Sequence, residues 1–65
     1  MITDEFVERV ASEMYAERRR REPGKYLWAT WSDYLADPEG AARAPVWRDD
    51  IRFGIEVIDR VRGGQ

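Results

Sequence analysis

The stretch from Pro45 to Val61 carries an apolar sector too broad for one small neighbour to cover. At about 100° per residue, Trp47, Val61, Gly54, Ile58, Ile51 and Ile55 fall in one arc, and Val46, Phe53 and Val57 widen it on one flank. The sector spans roughly 200°, whereas a stripe of about 100° is enough for a helix resting one face on a core. A helix patterned in this way needs cover from more than one side. Within a short chain that requirement points toward association with another surface, and it points to no reaction.

The length makes the requirement sharper. Sixty-five residues form one domain at most, close to the size at which a chain barely buries enough surface to fold alone. Domains this small depend on disulfides, a metal, a partner or very good helix packing. The chain has no Cys and no His, which removes disulfides, thiolate metal sites, the commonest metal ligand and the usual general base. Packing or a partner is left. A hydrophobic fraction of 43% with three Trp, three Tyr and two Phe marks a folded domain, although 37% of the residues are charged. Eleven basic and thirteen acidic residues leave a net charge of −2, which gives no general attraction to nucleic acid or to an anionic membrane. No apolar run reaches the length of a membrane span, and the opening Met1 to Glu5 lacks the basic start and apolar stretch of a signal peptide. The expectation is a cytoplasmic chain with no membrane partner.

Local signals divide the chain into three elements. Thr3 is a good N-cap, Asp4 and Glu5 suit the positive end of a helix dipole, and Ile2 is placed to staple onto Val7. The expected first helix covers about 4–21, with Phe6, Val7, Val10, Ala11 and Met14 inside and Tyr15 at the edge. Outside, Glu5–Arg9, Arg9–Glu13 and Glu17–Arg21 stand at (i, i+4) spacing. Pro23-Gly24 stops the helix. The aromatic-rich middle repeats at spacings of three and four, and Thr30 or Ser32 caps a short helix at about 31–36. Asp37-Pro38-Glu39-Gly40 reads as a turn or one helical turn. Pro45 reads as a first-turn residue, so the last helix is expected over about 45–62, closed by Gly63-Gly64. The fold class is all-α: one domain over 1–65, an antiparallel helical hairpin with a short aromatic-rich middle helix or loop, in effect a small three-helix domain.

Each cluster of functional residue types has a structural reading beside the chemical one. Arg18, Arg19, Arg20 and Arg21 are what phosphate recognition uses. Four consecutive helical residues diverge, however, and Glu17 and Glu22 flank them, so a charge-complemented helix end, with Arg18 and Arg21 laying their methylenes on the apolar face, is the preferred reading. Trp28, Trp31 and Trp47 match a stacking platform, but three indoles are also what a tiny core needs. Trp28, set in a loop, is the candidate exposed hot spot. Asp49 and Asp50 diverge by about 100° on a helix and cannot converge on one atom, and Asp33 with Asp37 is a weak ligand pair. No catalytic residue, metal site or cofactor is expected. Gly54 lies on the buried line of the last helix, where it marks either a dimple for a ring such as Trp31 or a close helix crossing, possible across a twofold axis; the residues leave both open.

The run Val7-Glu-Arg-Val-Ala-Ser-Glu-Met-Tyr15, a central Trp segment and Trp47-Arg-Asp-Asp-Ile-Arg-Phe-Gly-Ile-Glu-Val-Ile58 resemble a family of small helical proteins of actinobacterial phages. The family pattern is V-x-R-V-A-x-x-M-Y in the first helix and W-R-x-x-(A/I)-R in the last. The likeness covers most of the chain and rests mainly on core positions. It implies a cytoplasmic protein of phage or actinobacterial origin and transfers no catalytic residue.

The functional expectation is a non-enzymatic protein-binding module, acting as a homodimer or on a host or phage protein through Val46, Phe53, Val57 and Trp28. The alternative from another class is a nucleic-acid-binding accessory protein using Arg18 to Arg21, helped by Arg9 or Lys25.

Overall fold

The computed structural model describes residues 2–63 and is 81% helical, with no strand among them. Helix α1 runs Asp4–Arg21, α2 Trp31–Ala36 and α3 Pro38–Gly63. The caps act as their residue types dictate. The Thr3 hydroxyl accepts the Phe6 N–H at 3.1 Å, and the Thr30 hydroxyl accepts the Asp33 N–H at 3.1 Å. At the other end of α1 the Glu22 N–H reaches the Arg18 carbonyl before Pro23 ends the run.

The last helix starts seven residues before the position expected from Pro45. Asp37 is the reason. Its backbone turns extended, its carboxylate accepts the Glu39 N–H at 2.9 Å, and its carbonyl accepts the Ala41 N–H at 2.8 Å, so Pro38 takes the first-turn position. What reads as an isolated turn in sequence is the opening turn of α3. Pro45 lies inside the helix, exposed, where its missing N–H leaves the Ala41 carbonyl without its usual partner and open to water. Gly63 is the last residue of the helix, and Gly64 lies outside the described residues.

Helices α1 and α3 are antiparallel. Asp4 pairs with Arg52 and Glu8 with Arg48, so one chain climbs as the other descends. Between them Val7, Ala11 and Tyr15 of α1 meet Ala44 and Ile51 of α3, and α2 adds Trp31 and Tyr34. Tyr15, expected at the edge, is the centre: it is 0% exposed, and its ring centroid lies between 5.1 and 6.2 Å from those of Tyr26, Trp31, Tyr34 and Trp47. Its hydroxyl donates to the Trp28 carbonyl at 2.8 Å, which satisfies the one polar atom it brings inside. Phe6, expected inside, is 48% exposed, because the buried line follows Val7, Ala11 and Tyr15 at four-residue steps and Phe6 stands about 100° to its side.

Helix α3 approaches α2 closely at Gly40. A Cβ there would lie 1.9 Å from the Tyr34 carbonyl oxygen and 3.0 Å from Tyr34 Cδ1. The α2–α3 corner closes only around a residue without a side chain. At Gly54 an added Cβ meets nothing within 4 Å. Of the two readings left open for Gly54, the ring-filled dimple is absent, since the rings gather nearer the start of α3, around Trp47, and among the described residues no helix crosses closely at that point.

The candidate interaction face

Two residues on either side of a buried one leave a helix by opposite flanks, and this divides the surface of the α1–α3 pair. On α3, Trp47 faces the rings, Arg48 turns to one flank and Val46 to the other; on α1, Glu8 and Phe6 flank Val7 in the same way. In antiparallel helices, residues displaced in the same sense from the line of contact emerge on the same face of the pair. Glu8 and Arg48 therefore share one face, and Phe6 and Val46 the opposite one.

Helix α2 covers the Glu8 face. The Trp31 Nε1 donates to Glu8 Oε2 at 2.9 Å, and Arg48 Nε donates to the other oxygen of the same carboxylate. One side chain thus ties all three helices. The two donors, Arg48 first and Trp31 second, hold the Glu8 carboxyl below its ordinary value of 4.5, against the smaller opposing effect of burial. A glutamate beside Val7 in an amphipathic helix reads in sequence as solvated; its partners lie twenty-three and forty residues away, and no local spacing marks them.

The opposite face has no such cover. Val46 is 63% and Phe53 68% exposed, with Val57, Val10 and Met14 half-buried beside them and Phe6 on the α1 side. A depression of about 220 Å³ lined by Met14, Arg18, Tyr26, Val46, Trp47 and Asp50 joins the two helices on this side. Val46, Phe53 and Val57 are thus brought together as a strip along α3. Trp28 does not join them: its ring sits 5.2 Å from that of Tyr34, half-buried on the aromatic core, and the exposed apolar residue of its loop is Leu27, at 72%. Loop position alone misplaces Trp28 because its carbonyl is the acceptor for Tyr15 and holds the segment inward.

The apolar strip also runs beyond the body of the molecule. Asp4, the first residue of α1, stands beside Arg52, and α3 continues eleven residues further, to Gly63. That is about 16 Å of helix, and it carries Phe53, Val57, Ile58 and Val61.

The four consecutive arginines are divided by the helix. Arg20 and Arg21 both bind Glu17, at 2.6 and 2.7 Å, and lower its carboxyl to about 2 in an exposed setting where solvent screens the pair. Arg18 lies 5.7 Å over the Trp47 ring. Arg19 follows Tyr15 by one turn, and its Nε is buried without a hydrogen-bond partner. The cluster presents no common guanidinium surface. Of the three expected (i, i+4) pairs on α1, Glu17–Arg21 forms, and Glu5–Arg9 and Arg9–Glu13 do not among the described residues.

Among the described residues no group of three or more carboxylates is placed to hold a metal ion, and no helix is long and apolar enough to cross a membrane. The chain matches no protein-family model, no curated protein and no solved structure.

Proposed function

We propose that this chain is a non-enzymatic protein-binding module whose working surface is the open α1–α3 face, centred on Val46, Phe53 and Val57. A single observation carries the reading: helix α2 covers one face of the α1–α3 pair and leaves the other open and apolar, with Phe53 more than two-thirds exposed. Clustered apolar side chains on so small a surface mark an association site. The resemblance to small phage proteins supports a role in the cytoplasm of the cell that makes the protein, on a second copy or on a host or phage protein. The divided arginines weigh against a nucleic-acid role, since phosphate binding needs guanidinium groups that converge.

Site-specific photocrosslinking tests the face. A photoreactive phenylalanine analogue in place of Phe53 should form a protein adduct in the producing cell, while the same group at exposed Ala16, on the far side of α1, should form none. Adducts from neither position, or equally from both, would remove this surface as a binding site.

A further inference from the structure

The open strip of α3 has an order that a second copy of the same helix complements. Arg43, Val46, Asp50, Phe53, Val57 and Arg60 follow one another at steps of three, four, three, four and three residues, the a/d spacing of a coiled-coil seam. The two central positions are apolar, an acid stands before them and a base after them. Among the described residues neither Asp50 nor Arg60 enters an ion pair, although both are exposed on this seam.

We propose that two copies of this protein associate about a twofold axis with their α3 helices antiparallel, Asp50 of each facing Arg60 of the other and Phe53 of each facing Val57 of the other. The inference rests on the open face being a binding surface and adds its occupant and register. Twofold symmetry produces each contact twice, so one complementary pair of charges becomes two. The competing alignments are unfavourable on the same residues. A parallel pair sets Asp50 against Asp50 and Arg60 against Arg60. An antiparallel pair slid by one heptad sets Asp50 against the Phe53 ring and Arg60 against Arg43. Of these alignments only the stated register pairs charge with charge and apolar with apolar from Asp50 to Arg60. The reach of α3 beyond α1 leaves room for it, because the seam from Phe53 to Arg60 lies on the part of α3 past Arg52, where α1 begins.

Sedimentation equilibrium with charge exchange tests the register. The wild type should dimerise below about 100 μM. Asp50→Arg and Arg60→Asp should each weaken the dimer by about tenfold or more, and the double exchange should restore it. Circular dichroism reports folding in every case. Should either single exchange lose helix, Asp50→Asn with Arg60→Gln takes its place, and the expected result is a weaker dimer whose affinity no longer depends on salt. A folded wild-type monomer at about 100 μM overturns the proposal, as does a dimer indifferent to the single exchanges or not restored by the double one. A monomer that still crosslinks to another protein from position 53 sinks the twofold seam and leaves the binding-face reading standing. A monomer with no such adduct sinks both.

Discussion

Gly40 and Glu8 are the residues on which the three-helix corner turns, and neither announces itself in the chain. Gly40→Ala would drive a methyl into the Tyr34 carbonyl, 1.9 Å away, and the atoms that must give are backbone. We expect a loss of about 2–4 kcal/mol. Gly54→Ala, in open space on a regular helix, should gain up to about 1 kcal/mol. Urea melts of the two alanine variants at low protein concentration check the contrast, and equal effects would contradict the α2–α3 corner described above. Glu8 acts through charge as well as position. Its two donors hold its folded value below 4.5, so the unfolded chain binds this proton more tightly than the folded one does. The resulting stability is fully present above about pH 4.5 and disappears as the pH falls through the lower folded value. Its side chain is 37% exposed, which limits the contribution through solvent screening. Glu8→Gln should therefore cost about 1 kcal/mol at pH 7, and its difference from the wild type should shrink steadily toward pH 3; a gap that stays constant with pH would assign Glu8 a packing role only.

At the scale of elements, the helices with strong end signals are the ones a reader of the chain can bound. Thr3, Thr30 and Pro23-Gly24 carry their meaning in the residue type, and α1 begins and ends, and α2 begins, where those residues place them. The start of α3 misleads because two prolines compete for the first-turn position. Asp37 decides for Pro38 by capping it, and the Ala-rich stretch up to Ala44 has enough helix propensity to carry the helix through Pro45. The strip of Val46, Phe53 and Val57 was legible because it needs only the period of one helix. The tie from Glu8 to Trp31 and Arg48, the central place of Tyr15 and the inward turn of Trp28 depend on contacts between elements, which periodicity does not encode. Pro45 also gives a direct test of helix continuity. Pro45→Ala restores the donor that the Ala41 carbonyl lacks and should raise the midpoint of a urea melt by an amount equivalent to about 1–2 kcal/mol, less than the full cost of an interior proline because the unfolded chain becomes freer as well. A lowered midpoint would show that the ring holds the two halves of α3 at an angle the aromatic core requires.

At the scale of the whole molecule, one group of rings joins all three helices and the loop between the first two. Trp47 has four ring neighbours, with centroids between 5.3 and 6.4 Å from its own, and Arg18 over its face. Trp47→Ala should cost about 3–5 kcal/mol, enough to threaten folding in a domain this small. The variant's far-ultraviolet circular dichroism at 25 °C and its urea midpoint measure this; a loss below about 1 kcal/mol would mean that the remaining rings close over the gap. The molecule measures 41 Å in its longest direction, and α3 alone spans nearly all of it. Because α1 begins alongside Arg52, the last turns of α3 extend past the body that the rings consolidate. A short stretch of helix opens readily where little packs on it. Its amide hydrogens become a gauge of company: those of residues 56 to 60 should exchange quickly in dilute solution and slow down as the protein is concentrated, while those around Tyr15 exchange at one slow rate throughout.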